Sequence, residues 1–74
     1  MPPIRVNVLY KDILAYVPMP SLGETVDVDF EGQYLIELRN IDGHMEVTGI
    51  GVDGGGNPLL VTPDDVKTEL VHIV

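Results

Sequence analysis

The residues best suited to bind a metal are Asp42, His44 and Glu46, which alternate along the chain. Carboxylate and imidazole groups are common metal ligands, and alternate side chains of an extended strand project to the same side. However, Asp42 precedes Gly43 in a pair typical of a tight turn, which directs its side chain away from the other two. The second histidine, His72, lies near the C-terminus among apolar residues and supplies no nearby fourth ligand. We predict no metal site and no other cofactor.

Covalent catalysis needs a nucleophile activated by a neighbouring base. The chain has no cysteine. Its hydroxyl candidates are Ser21, Thr25, Thr48, Thr62 and Thr68. No motif connects any of these hydroxyls to His44 or His72. Asp27 and Asp29 form a carboxylate pair that could share a proton, but on the outer face of a strand both should be well solvated. We therefore expect no enzymatic activity.

The stretch from Asp53 to Asn57, Asp-Gly-Gly-Gly-Asn, is the part of the chain richest in glycine. Successive backbone N–H groups in such a loop could form a nest for an anion. The stretch lacks the lysine and the spacing of a phosphate-binding loop, and it has too few acids for a calcium loop. We predict a mobile hairpin loop. A ligand bound between subunits, near this loop and the histidines, is the alternative.

The charge of the chain excludes several classes of partner. Four Lys and Arg residues stand against 12 Asp and Glu residues, a formal net charge of -8. Proteins bind nucleic acid largely through Lys and Arg side chains that neutralise phosphates. Binding to anionic membranes requires basic side chains in the same way. The longest apolar run, residues 13–17, is far shorter than the ~20 residues of a spanning helix, and the N-terminus does not resemble a secretion signal. We predict a cytoplasmic protein that binds neither nucleic acid nor membranes.

The acids alternate with apolar residues instead of forming a tail. Residues 1–23 carry a net charge of +1 and residues 24–74 a net charge of -9, while 45% of the chain is hydrophobic. Residues 25–30 and 34–39 show the period of two that is typical of half-buried strands. A loop of about three residues around Gly32 then places Val28 opposite Tyr34 or Ile36, with both apolar sets on one side.

Asp42 and Gly43 predict a second hairpin with a two-residue type I′ turn. The residue numbers of each cross-strand pair then sum to 85, as those of the two turn residues do. The predicted inner pairs are Leu38 with Val47, Ile36 with Gly49 and Tyr34 with Gly51. The predicted outer pairs are Arg39 with Glu46, Glu37 with Thr48 and Leu35 with Ile50. The two glycines within the strand also predict a bend or a close backbone approach.

The remaining segments complete an all-β fold in one domain, residues 1–74. A turn near Lys11 and Asp12 joins two edge strands over residues 4–8 and 13–17. Thr62, followed by Pro63 and two acids, predicts one helical turn near residue 63 and then a closing strand. The result is a small curled barrel of five or six strands, which resembles SH3-like and Sm-like barrels in strand count and order only. An α+β fold with a short C-terminal helix is the alternative.

The outer face of the central hairpins is the candidate functional surface. It carries acids around an apolar centre, formed by Asp27, Asp29, Leu35, Glu37, Glu46, Ile50 and Val52. Such a patch suits a protein partner with a basic rim. The chain is therefore predicted to be a binding module, an inhibitor or accessory factor that could imitate the charge of a nucleic acid. A homo-oligomeric assembly subunit or a ligand-binding oligomer is the alternative, with Leu9, Leu14 and Tyr16 extending the patch or forming a subunit interface.

Overall fold

The computed structural model describes residues 4–72, which form six strands and one 3₁₀ turn. The elements in chain order are β1 (Ile4–Tyr10), β2 (Ile13–Pro18), β3 (Thr25–Phe30), β4 (Tyr34–Ile41), β5 (His44–Asp53), the 3₁₀ turn (Pro63–Asp65) and β6 (Val66–His72). The prediction of an all-β fold is confirmed. The alternative with a C-terminal helix is wrong, because the β-branched and polar residues after the 3₁₀ turn form strand β6.

The strands form two antiparallel sheets of three strands each. The first sheet has the order β2-β1-β6 and the second the order β3-β4-β5. The turn at Lys11 and Asp12 joins β1 to β2 as predicted, with Tyr10 opposite Ile13. The prediction that both strands lie at an edge is wrong for β1, since β6 pairs along its other side and makes it the central strand. Such a pairing between the two ends of the chain has no local sequence signal.

The inner faces of both sheets enclose one hydrophobic core. Its buried members are Val6, Val8, Tyr10, Ala15, Val28, Phe30, Ile36, Leu38, Met45 and Val61. Tyr10 connects the two sheets, because its ring lies 5.6 Å from that of Phe30 and 5.1 Å from that of Tyr34 between centroids. Each fully buried side chain of this kind stabilises the fold by about 1.5–3 kcal/mol. The core therefore fixes which face of each sheet points outward.

The sheets approach each other along two sides, at β2 with β3 and at β5 with β6. Within residues 4–72 no ladder of hydrogen bonds joins one sheet to the other. The side at β5 and β6 is the more open one, since Leu70 on the inner face of β6 remains 39% exposed. The described part of the chain is thus a pair of stacked sheets.

The β3–β4 hairpin has the predicted register. Val28 lies opposite Ile36 and Phe30 opposite Tyr34, around a three-residue connection centred on Gly32. The alternation of valine with aspartate determines this arrangement, because a shift by one residue would expose the apolar set. Asp29 stabilises the connection by accepting a hydrogen bond of 2.9 Å from the Gly32 N–H.

The β4–β5 hairpin follows the predicted register only near its turn. Leu38 lies opposite Val47 and Arg39 opposite Glu46, as predicted. Farther from the turn the register changes by two residues. The partners there are Ile36 with Gly51, Leu35 with Val52 and Tyr34 with Asp53, which corrects the three predicted pairs.

The cause of the changed register is an irregularity opposite Glu37, where residues 48–50 occupy the space of one residue. Gly49 has a φ of +94°, a conformation that glycine adopts readily and other residues rarely do. Because the change is two residues and side chains alternate, each side chain beyond the bulge keeps its predicted face. The sequence predicted a bend or a close backbone approach at these glycines, and the structure has a bulge there, which displaces the predicted pairs beyond it.

The predicted helical turn is present as a single 3₁₀ turn. The Asp65 carboxylate accepts hydrogen bonds of 3.0 Å from the Thr62 N–H and from the Thr62 hydroxyl. These bonds, with a smaller contribution from the charge of Lys11, lower the pKa of Asp65 below its usual value. The turn then leads directly into β6.

Candidate functional site

The outer face of the second sheet brings most of the predicted surface residues together. This acidic face consists of Asp27, Asp29, Leu35, Glu37, Glu46, Ile50 and Val52. Five of the seven line one shallow depression of about 190 Å³, namely Asp27, Leu35, Glu37, Ile50 and Val52. Asp29 borders this depression as the cross-strand partner of Leu35. Glu46 lies outside it, beside Arg39 on the part of the hairpin nearest the turn.

Two carboxylates face each other directly in the acidic face. Asp27 and Glu37 are cross-strand partners on β3 and β4. Like charges in this position destabilise a sheet by a modest amount, up to roughly 1 kcal/mol. A cationic group placed between them would remove that repulsion.

The bulge in β5 determines where the apolar centre lies. The Thr48 hydroxyl donates a hydrogen bond of 2.9 Å to the Glu37 carboxylate, and the Ile50 N–H donates one of 3.3 Å to the Thr48 oxygen. This chain of contacts holds Ile50 at the surface with 61% of its area exposed, while Leu35 is 40% exposed. Two large apolar side chains thus remain in water among acids.

His44 and Glu46 form a pair of their own at the start of β5. The Nε2 atom of His44 lies 2.6 Å from a carboxylate oxygen of Glu46, and both side chains are about half exposed. Asp42 occupies the turn with a φ of +53°. In residues 4–72 no group of three or more histidine, aspartate or glutamate side chains has an arrangement that could hold a metal ion.

The glycine-rich loop is organised by its own aspartate. The Asp53 carboxylate accepts hydrogen bonds of 2.9 Å from the N–H groups of Asn57 and Gly55. These bonds, that of Asn57 first, lower the pKa of Asp53. The N–H groups that could have formed an anion nest therefore already bind a carboxylate of the chain. Gly54 contacts the neighbouring turn, where a Cβ would lie 2.9 Å from the carbonyl oxygen of Gly32.

Sequence reasoning missed Asn40, the buried polar residue of β4. Its side chain donates a hydrogen bond of 2.8 Å to the Pro20 carbonyl and accepts one of 3.0 Å from the Gly43 N–H. Asn40 is 5% exposed, and it borders a depression of about 640 Å³ whose apolar wall includes Leu22. Its position could have indicated burial. Asn40 is two residues after Leu38 and four after Ile36, so it shares their inward face directly before the turn.

Comparison with other proteins adds no candidate function. No protein-family model, curated protein or solved structure matches the chain. Across residues 4–72 the structure contains no helix with the length and apolar character needed to cross a membrane. The chemistry of the surfaces is thus the available basis for a function.

Proposed function

We propose that this protein is a non-enzymatic binding module that contacts another protein through its acidic face. The observation that supports this proposal is the single depression in which Leu35 and Ile50 lie exposed beside Asp27 and Glu37. An apolar centre with a polar rim is the usual composition of a protein interface. Isolated exposed apolar residues would need no explanation, but here two of them border the same depression.

The partner expected from this chemistry carries an apolar patch surrounded by lysine or arginine. Opposite charges would speed its association with the acidic face and make binding sensitive to salt. An inhibitor or accessory factor that occupies a basic groove, in the manner of a nucleic acid, fits this description. A cytoplasmic location, and closure of the two sheets into a curled barrel, belong to the same proposal.

The alternative of a ligand pocket near the glycine-rich loop has less support. Two N–H groups of that loop, those of Gly55 and Asn57, already bind the Asp53 carboxylate. The alternative of a homo-oligomeric assembly is favoured by a different observation, the exposed apolar residues on the outer face of the first sheet. Those residues could be covered by the acidic face of a second copy.

Affinity capture from the native host tests the proposal. The bait proteins are the wild type, the double variant Leu35→Lys with Ile50→Lys, and the single variant Leu60→Lys. Leu60 is a matched control, because it is 86% exposed and lies outside the acidic face. We expect the wild type and the control to retain the same partner at low salt. The double variant should lose that partner, since it places cations in the apolar centre.

Salt provides an independent measurement. Raising the salt to ~0.5 M shortens the range of electrostatic attraction to a few ångströms and should release a partner with a basic rim. Retention of the same partner by the double variant would exclude the acidic face as the binding surface. If the wild type retains its partner equally well at low and at high salt, the proposed basic rim is excluded.

A further inference from the structure

The outer face of the first sheet has the chemistry expected of the partner. This basic face consists of Arg5, Leu9, Leu14, Tyr16 and Lys67. Its three apolar members are 36%, 61% and 51% exposed, in chain order. A shallow depression of about 380 Å³ lies between Leu9, Leu14 and Lys67, and the acid Glu69 also lines it. The guanidinium carbon of Arg5 lies 5.7 Å from the centroid of the Tyr16 ring, which keeps a cation beside the apolar residues.

The two outer faces also differ in charge. The strands of the first sheet direct Arg5, Lys67 and Glu69 outward, a net charge of +1. The acidic face has four acids with Arg39 beside them, a net charge of -3. Three of the four cations of the chain lie on the first sheet or its turn, although the whole molecule carries -8. With Asp12 and Glu69 included, the first sheet and its turn carry a net charge of +1, against the -3 of the acidic face and Arg39.

We propose that the acidic face of one molecule binds the basic face of a second copy. This inference rests on the proposed function, because it takes the acidic face as the binding surface and names its partner. Leu9, Leu14 and Tyr16 of one copy would cover Leu35 and Ile50 of the next. Lys67 and Arg5 would then approach the facing carboxylates of Asp27 and Glu37, whose mutual repulsion a cation relieves.

The geometry makes this contact head-to-tail. The inner faces of the two sheets share one core, so the acidic and basic faces point to opposite sides of the molecule. A contact between two different faces does not close with a two-fold axis, and it continues into a ring or an open chain. The -8 charge of each copy opposes association at long range. At 0.15 M salt the Debye length is about 8 Å, so the charges within the contact outweigh distant ones.

The contact should be weak. A face of three strands, each about seven residues long, spans roughly 14 by 23 Å. A standard interface buries about 800 Å² per partner, one sixth of the 4847 Å² surface of this molecule. The flat area of the basic face, about 320 Å², is less than half of that, so the contact belongs with small, transient interfaces. Sedimentation measurements of the purified protein therefore need concentrations up to about 1 mM.

Two variants, each with one altered face, provide the test. The basic-face variant is Leu14→Glu with Lys67→Glu, and the acidic-face variant is Leu35→Lys with Ile50→Lys. We expect the mass of the wild type to increase with concentration beyond that of a dimer. Each variant alone should sediment as a monomer. An equimolar mixture should form a dimer with one copy of each variant and grow no further, because each variant supplies the face that the other lacks.

The controls separate this inference from the proposed function. Leu60→Glu and Leu60→Lys add the same kinds of charge outside both faces and should associate as the wild type does. Circular dichroism checks that each variant is folded. If a double variant unfolds, the single changes Leu14→Glu and Ile50→Lys replace it, since both positions are 61% exposed.

Two outcomes would overturn the head-to-tail contact. One is a wild type that remains monomeric at every concentration, and the other is a mixture of variants that remains monomeric while the wild type associates. A monomeric wild type that still captures a host protein through Leu35 and Ile50 would reject the second copy as partner but leave the proposed function standing. Self-association that the acidic-face variant does not affect would also reject the head-to-tail contact, and the proposed function would fail as well if this variant still captured the host partner.

Discussion

The β1–β2 and β4–β5 hairpins have turns of the same backbone geometry but keep their registers over different lengths. Lys11 and Asp12 have φ values of +47° and +63°, and Asp42 and Gly43 have values of +53° and +94°. Positive φ at both central residues characterises the type I′ turn. From its turn, the first hairpin continues in one register along all of β2. The second changes register after four pairs.

The comparison shows how far a turn determines a hairpin. A turn fixes the pairs next to it, and a residue that enters the left-handed region farther along can fix a new register. In β5 that residue is Gly49, and the new register places Val52 opposite Leu35. Ile50 is thereby displaced from the ladder and exposed. The apolar centre of the acidic face consequently depends on a bulge that the first hairpin lacks.

The largest effect is expected at Asn40, which ties the second turn to the Pro20 carbonyl. The change Asn40→Ala leaves that carbonyl and the Gly43 N–H without a side-chain partner. Unpaired buried polar groups cost about 1–3 kcal/mol each. Because Gly43 is exposed and Pro20 is half-buried, water partly replaces the lost bonds, and we expect a loss of about 2–3 kcal/mol in the free energy of unfolding. Urea denaturation measures this loss.

Asn7 gives the matched control for Asn40, since it lies on the outer face of β1 in the first hairpin. Asn7→Ala should change stability by less than about 0.5 kcal/mol, as is usual for surface positions. Equal losses for the two variants would mean that the second turn does not depend on its buried asparagine.

The next largest effect is expected at Gly49. An added Cβ there would meet nothing within 4 Å, so the cost of Gly49→Ala is that of the backbone conformation alone. We expect a loss of about 1–2 kcal/mol in the free energy of unfolding, because alanine is strained at positive φ. The same change should weaken any binding through the acidic face, since the bulge positions Ile50.

A chemically synthesised chain with D-alanine at position 49 separates conformation from packing. D-Alanine favours positive φ, so this chain should be at least as stable as the wild type. If L-alanine and D-alanine have the same effect on the urea midpoint, the left-handed conformation of Gly49 is not what maintains the bulge.

The sequence predicted the parts of the fold that depend on local patterns. Alternation of apolar and acidic residues turned Val28 inward opposite Tyr34 or Ile36, and Ile36 is the observed partner. The Asp-Gly pair placed Arg39 opposite Glu46, and the proline and acids after Thr62 predicted the 3₁₀ turn. In each case the physical cause lies within a few residues of the position, where a single sequence can reveal it.

The parts that could not be predicted depend on distant contacts. Pairing of β6 with β1 joins opposite ends of the chain, so the central position of β1 has no local signal. The role of Asn40 depends on Pro20, which is 20 residues away. The pairs of the acidic face also required the conformation of Gly49, and glycine content indicates a bend without its size. The residues of the face could be predicted, but not their exact partners.

A smaller effect of opposite sign is expected in the first turn. Asp12 adopts a positive φ that costs a non-glycine residue about 1–2 kcal/mol, whereas the second turn has Gly43 at this position. Glycine also loses more entropy on folding, so we expect Asp12→Gly to stabilise the protein by about 0.5 kcal/mol. Thermal unfolding measures the gain. Asp12→Ala is the control, because alanine is also strained at positive φ. A lower midpoint of thermal unfolding for Asp12→Gly than for Asp12→Ala would contradict the assignment of strain to Asp12.

The smallest effect concerns two exposed aspartates, one near each hairpin. Asp53 ends β5 of the second hairpin, and Asp65 lies near Lys11 in the turn of the first. The hydrogen bonds they accept lower the pKa of each in the folded state. Their contribution to stability is therefore complete above the unfolded pKa of about 4 and is lost as the pH falls through the lower folded value. The change Asp53→Asn removes that charge. The difference between the urea midpoints of this variant and the wild type should be present at neutral pH and shrink below pH ~4. A difference that stays constant down to pH ~2 would mean that the Gly55 and Asn57 N–H groups do not distinguish the carboxylate from a neutral amide.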